Sequence, residues 1–212
     1  MDEKKETFGV YGVTSPLVGR DKQSLHLDEI ASDAIEEKAP KAVLVTGNQG
    51  VGKSRLVADW IAGQKRRRQS LRVLKAQAFP EDGTHQIWNR LLKSRFEIGD
   101  TDNDEAIQEK LRTEVTRVFE ERRMTEILHF LGTFLGVTFP DNPFLKAVEA
   151  DPSQHANIAK TVLRRFLEAD AAETPLVLVM EDLHLADTRS LELIQHVAAS
   201  TAEASMILVA VG

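Results

Sequence analysis

One stretch constrains this chain more than any other. Gly47-Asn48-Gln49-Gly50-Val51-Gly52-Lys53-Ser54 satisfies the pattern G-x-x-x-x-G-K-[ST] at each fixed position. The short apolar run Ala42-Val43-Leu44-Val45-Thr46 precedes it, and Leu56, Val57, Trp60 and Ile61 follow at helical spacing. An apolar run bounded by Pro40 and Gly47 suits a strand buried on both faces of a parallel sheet. Strand, glycine turn, helix is the context in which the pattern acquires chemistry. Glycines let successive backbone N–H groups point inward as an anion nest, and the helix adds its positive N-terminal end. Such a turn suits a polyphosphate, with Lys53 reaching the β- and γ-phosphates and the Ser54 hydroxyl placed to ligate Mg²⁺.

Phosphoryl transfer also needs a held cation and an oriented water, so an acidic partner is expected. Leu176-Val177-Leu178-Val179-Met180, opened by Pro175, is the strongest strand in the sequence and ends in Glu181-Asp182. Ligands of parallel α/β sheets sit at the carboxyl ends of the strands. Adjacent residues on an extended chain point to opposite faces. One carboxylate is therefore expected on the metal side and the other on the water side: Glu181 with Ser54 for the metal, Asp182 for the water. Lys53, Glu181 and Asp182 are the catalytic candidates.

The remaining pattern is α/β. Residues 1–16 read as a tail, interrupted by Gly9, Gly12 and Pro16. Leu27, Ile30, Ala31 and Ala34 suit a helix, residues 71–79 a second strand, and residues 206–211 a last one. Residues 84–173 look mainly helical, with Asp102 or Asp104 as one N-cap and Pro140, Pro143 and Pro152 as punctuation. Asp187 is placed to cap a helix through Leu191, Ile194 and Val197. Trp60 and Trp88 fall at core positions. His184 has a possible local role orienting Asp182 or Asp187. Lys65-Arg66-Arg67-Arg68 reads as a solvated helix end that complements the macrodipole.

Composition narrows the partners. The formal charge of −6 over 212 residues gives no electrostatic case for wrapping nucleic acid. The absence of cysteine excludes disulfides, thiolate zinc sites and a cysteine nucleophile. Met1 to Thr7 carries charges of both signs and no apolar run follows, so no signal peptide is expected. No stretch approaches about 18 consecutive apolar residues, so no transmembrane helix is expected either. The sequence reads as soluble and cytoplasmic.

Three motifs together resemble the ATPase module of STAND signalling proteins, in the AAA-like branch of P-loop ATPases. They are Pro16-Leu17-Val18-Gly19-Arg20-Asp21, the loop Gly47 to Ser54 continuing into Arg55-Leu56, and Glu181-Asp182-Leu183-His184-Leu185-Ala186-Asp187. The likeness spans residues 16 to 212, with two departures: Leu185 where the family usually has Trp, and Glu181 where it usually has Asp. The resemblance implies a three-layer core with parallel strand order 5-1-4-3-2 over residues 17–212. Strands 1 to 4 fall at 42–46, 71–79, 176–181 and 206–211. A helical insertion at about 80–174 separates strands 2 and 3. Strand 5 and the lid are absent from the sequence, so it reads as a fragment of weak or no activity by itself, with strand 1 at a sheet edge. ATP or ADP with Mg²⁺ is the implied ligand. Val18, Gly19 and Arg20 are implied near the adenine, with Gly47 to Ser54 and Arg55 completing the nucleotide contacts.

The implied function is ATP binding with slow hydrolysis as a regulatory switch. Fused effector domains or protein partners, and a nucleotide-dependent oligomer, would accompany it. Two other readings stand beside it: a nucleotide-holding protein-interaction scaffold without turnover, and a replication-initiator-like DNA-associated ATPase.

Overall fold

Strands rich in Val, Leu and Ile without polar interruption have to be covered on both faces, and the structure does this with a parallel sheet between two helical layers. The computed structural model describes residues 9–10, 13–14, 17–68, 70–139 and 151–212. Within the span read as a tail, β1 (Gly9–Val10) and β2 (Val13–Thr14) pair as a minimal antiparallel ladder. The main sheet contains β3 (Lys41–Val45), β4 (Arg72–Gln77), β5 (Leu176–Glu181) and β6 (Met206–Val211). Its order is β3-β6-β5-β4, with every neighbouring pair parallel. That is the 1-4-3-2 part of the expected order. The second strand is shorter than expected, because the chain turns away from the sheet after Gln77.

Side-chain alternation sorts the two layers. Val177, Val179, Ile207, Val209 and Val211 face α1 (Asp21–Glu36) and α2 (Lys53–Arg67), where Leu27, Ala31, Leu56, Val57 and Trp60 are buried. Leu176, Leu178, Met180, Met206 and Leu208 face the other way. They join one core with α3 (Gln86–Arg95), α4 (Asp104–Val118), α5 (Glu121–Leu135), α6 (Pro152–Glu173) and α7 (Thr188–Ser200). Helices α3 to α6 lie between β4 and β5 in the chain. Trp60 and Trp88 are both buried. Pro140 and Pro143 lie outside the described residues.

Two local expectations are corrected. The strand before the glycine loop is covered on one face only: Val43 and Val45 pack toward α1 and α2, while Ala42 and Leu44 are exposed, Leu44 at 67%. β3 lies at the sheet edge, and none of the described helices reaches over that end of the opposite face. The cap of α4 is Asn103, whose side-chain oxygen accepts from the Ala106 N–H at 2.9 Å. Asp102 is diverted to the Gly99 N–H at 2.7 Å and the Lys110 ammonium at 2.6 Å. Asp187 does cap α7, accepting from the Ser190 N–H at 3.0 Å.

The helical block is tied to the sheet by a buried charge cluster that no spacing pattern announces. Asp170 of α6 is fully buried. It accepts two bonds from Arg95 of α3, at 2.8 and 2.7 Å, and one from Arg72 of β4. Arg95 also donates to Glu114 of α4 at 2.8 Å. Removing one partner of such a set leaves an uncompensated buried charge. Asp170→Ala is therefore expected to destabilise the fold by about 3–5 kcal/mol, read as a lower urea midpoint with an unchanged m-value.

Candidate functional site

The site is built at the carboxyl ends of β3 and β5, the two strands that flank β6 in the parallel sheet. After Val45 the chain enters the glycine loop, whose residues 46–51 are exposed. Gly52 stands immediately before α2 at φ 92, a backbone region that side chains with a Cβ rarely adopt. At Gly47 an added Cβ would lie 3.0 Å from Val51 Cγ1, so the loop closes only around glycine there. The Lys53 ammonium folds back across the loop and donates to the carbonyls of Gly47 at 2.8 Å and Asn48 at 3.3 Å. Asn48 also accepts from the Val51 N–H. Gln49 and Gly50 lie on the exposed rim.

Across the site, Ser54 Oγ donates to Glu181 Oε2 at 2.6 Å, joining residues 127 positions apart. The sequence assigns these two to one cation, and the fold brings them together. Two ligands on adjacent octahedral positions of Mg²⁺, each at 2.0–2.1 Å, lie about 2.9 Å apart. The oxygen pair therefore fits a hard cation after a small opening. Among the described residues no group of three or more His, Asp or Glu could hold a metal. An ion here would rest on Ser54, Glu181 and the oxygens of its own ligand.

The two carboxylates diverge, but not for the reason expected. β5 ends at Glu181, and Asp182 has left the extended conformation for φ 53, ψ 40. A turn, not the strand pleat, separates them. A non-glycine residue in this left-handed region is uncommon, though Asp tolerates it better than most. Asp182 Oδ2 is held by Gln77 Nε2 at 2.8 Å. Gln77 is the last residue of β4 and stands opposite Glu181 in the strand register. Reading residues 71–79 as one strand hid it, although a polar residue at the carboxyl end of a parallel strand is the signal that finds it.

The other candidates fall around this centre. Arg20 Nη2 donates to the Val51 carbonyl at 2.9 Å, so the segment before α1 is pinned to the glycine loop. Gly19, at φ 75, makes the turn into that contact, and Val18 is 82% exposed beside it. Arg55 pairs with Asp59 at 3.7 Å along its own helix. His184 is exposed and bonds to neither aspartate among the described residues. Asp182 is bound by Gln77, and Asp187 by Ser190 and the His85 N–H, the latter at 3.1 Å. In the basic run, Arg67 pairs with Asp28, and Arg68 donates to Gln64 and Ser32.

A family model for the AAA ATPase domain matches residues 16–209, nearly the whole chain. The chain belongs to the AAA ATPase domain family. Adenine nucleotide is thereby the ligand class of this AAA ATPase domain, and nucleotide binding and hydrolysis the activity class. No curated protein matched the sequence. No helix among the described residues is long and apolar enough to cross a membrane.

In this AAA ATPase domain, Asp187 joins the segment after the strand tip to the segment before α3. Burial pushes its pKa up, but the Ser190 hydroxyl and N–H and the His85 N–H more than offset this, leaving it below the usual carboxylate value. Its ionised form is thus favoured by folding. That stabilisation is fully present above the unfolded Asp pKa of about 3.9 and is lost as pH falls through the lower folded value. Asp187→Ala is expected to cost about 1–2 kcal/mol at pH 7, and the difference from the parent protein should shrink in urea melts repeated below pH 3.

Proposed function

We propose that this AAA ATPase domain is a Mg²⁺-dependent ATP-binding module of STAND type. It hydrolyses ATP slowly and acts as a regulatory switch within a larger cytoplasmic signalling or transcription-regulating protein. The observation that carries this reading is the Ser54–Glu181 hydrogen bond at 2.6 Å, which sets a hydroxyl and a carboxylate against each other at the mouth of the glycine loop.

Each residue then has a task. The loop N–H groups receive the phosphates. Lys53 exchanges its hold on two loop carbonyls for β- and γ-phosphate oxygens, a side-chain movement on a backbone already in place. Ser54 and Glu181 hold Mg²⁺, which when bound neutralises charge on the phosphate oxygens. Asp182 orients the attacking water and accepts its proton. Arg20, through the Val51 carbonyl, couples the adenine end, with Val18 and Gly19, to the phosphate end. Contacts that differ between the triphosphate and the diphosphate would bias the closed and open states of the larger protein. Fused effector domains or protein partners, and a nucleotide-dependent oligomer, belong to this reading.

The Gln77–Asp182 bond supports slow turnover. A carboxylate oxygen already engaged by a side-chain donor has to give up that bond before it can accept from a water. The same bond supports the scaffold reading, in which nucleotide is held without hydrolysis. The initiator-like reading gains no support from a basic run whose Arg67 and Arg68 are engaged by α1 and α2.

Titration with a fluorescent ATP analogue and a phosphate-release assay on the purified protein separate the first two. Lys53→Ala should weaken ATP binding about 10- to 100-fold. Asp182→Asn should keep binding and lose about 10²- to 10⁴-fold in turnover. Equal phosphate release by the parent protein and Asp182→Asn would leave the scaffold. No binding of ATP or ADP by the parent protein would sink both.

Gln77→Ala tests the restraint on Asp182. The expected outcome is an increase in kcat of threefold or more at an unchanged ATP affinity. A fall in affinity with kcat unmoved would instead make Gln77 part of the binding surface.

A further inference from the structure

The helical layer contains a cleft that the nucleotide reading does not use. It lies between α3, α5, α6 and α7 and has a volume of ≈ 800 Å³, within the range occupied by small-molecule pockets. No residue of the glycine loop or of the strand tip lines it. We propose that this cleft is a second ligand site, and that it takes a small organic carboxylate with an apolar body. The proposal does not rest on the nucleotide assignment.

The lining among the described residues divides by chemistry. Phe134, Ala156, Ala159 and Leu193 offer apolar surface, while His85, Lys160 and Arg189 offer donors. The two sets adjoin, since the His85 ring stands edge-on to Phe134 with centroids 5.4 Å apart. A ligand seated here therefore meets donors and an aromatic surface together, which suits an acid group on an apolar body and not a compact inorganic anion.

Charge selects the sign of the ligand. Lys160 is engaged with Glu192 at 3.4 Å. Arg189 is exposed and has no hydrogen bond or ion pair among the described residues. Counting Lys, Arg and Glu among the described residues, the lining holds two cations and one carboxylate, a net single positive charge. A carboxylate on Arg189 makes a charge-assisted, bidentate contact, whereas a cationic ligand would meet that uncompensated guanidinium.

His85 supplies the second independent indication. Its N–H donates to Asp187 at 3.1 Å, which fixes the backbone from which the ring enters the cleft lining. Its Nδ1 atom is buried without a hydrogen-bond partner, a condition that folded proteins normally avoid. Burial lowers the His85 pKa; Asp187 opposes this, and Arg189 and Lys160 add to it, which places both cations within electrostatic reach of the ring. A neutral imidazole can donate to a carboxylate without adding a charge of its own.

The test titrates 3-phenylpropionate and hexanoate into the purified protein, with 3-phenylpropionamide as the uncharged control. Saturation-transfer NMR detects binding and calorimetry gives stoichiometry. The expected result is one saturable site for at least one acid, with the amide bound at least tenfold more weakly. Arg189→Glu and Ala156→Trp, both at exposed lining positions, should each weaken the acid at least tenfold while leaving ATP binding unchanged. Absence of saturable binding by either acid overturns the proposal, as does binding that survives both substitutions. An amide that binds as well as the acid overturns the charge assignment and the proposal with it. Acid binding without ATP binding would sink the nucleotide reading alone, and the reverse pattern would sink this inference alone. The acid-to-amide comparison uses the unmodified protein, so it stands even where a variant fails to fold.

Discussion

A strand that must be dry along its length and charged at its tip sets the terms for this molecule. Leu176 to Met180 are fully buried, sandwiched between β4 and β6 and covered on both faces. Glu181 and Asp182 follow without a spacer. Both are half-buried, and a carboxylate at such a position is held best by a donor. The structure supplies one to each, Ser54 for Glu181 and Gln77 for Asp182. Those donors come from elements on either side of β5 in the layered fold. Satisfying the tip of one strand therefore fixes the relative position of the glycine loop and of the end of β4. The arrangement of the site follows from those two contacts.

Most of the glycine-loop end was legible in the sequence because its constraints are local. Gly47 and Gly52 are needed for backbone reasons that act within a single turn, and the strand and helix around them follow from apolar spacing. The meeting of Ser54 with Glu181 needed the added knowledge that ligands gather at the carboxyl ends of parallel strands. The strand order was carried by the family resemblance, since no periodicity reports which strands lie side by side. What stayed hidden depends on pairing in space. Gln77 matters because β4 and β5 align it with Glu181, and Asp170 because α6 drops it between Arg95 and Arg72. The exposure of Leu44 has the same origin: an apolar run reports a strand, but not how many faces are covered. At α4, the cap is Asn103, between the two candidate aspartates, and the choice turns on Asp102 being taken by Gly99 and Lys110.

The segment between β4 and α3 is braced by Arg90. Arg90 of α3 donates to the Gln77 carbonyl at 2.9 Å and to Asp82 at 2.6 Å, and stacks its guanidinium over Phe79 at 4.7 Å. Arg90 holds Asp82 below its ordinary carboxylate range, so this internal pair stays ionised through neutral pH. The segment is thus braced within itself. It is also fastened outside itself at both ends, by the Gln77 side chain to Asp182 and by the His85 N–H to Asp187.

Those two fastenings connect different things. Asp182 belongs to the strand tip that faces the glycine loop, while Asp187 starts α7 and His85 lines the cleft in the helical layer. A shift of α3 that moved His85 would pull on Asp187 at one end, and through Arg90 on Gln77 at the other. Asp182 and His85, the two ends of that route, both sit in the left-handed region, and a side-chain bond from Gln77 holds the first while a bond from its own N–H to Asp187 holds the second. Asp182 is held twice, its side chain by Gln77 and its carbonyl by the Leu185 N–H at 2.9 Å. A short braced loop thus joins the helical layer to the acidic tip, without a long chain of contacts through the core between them.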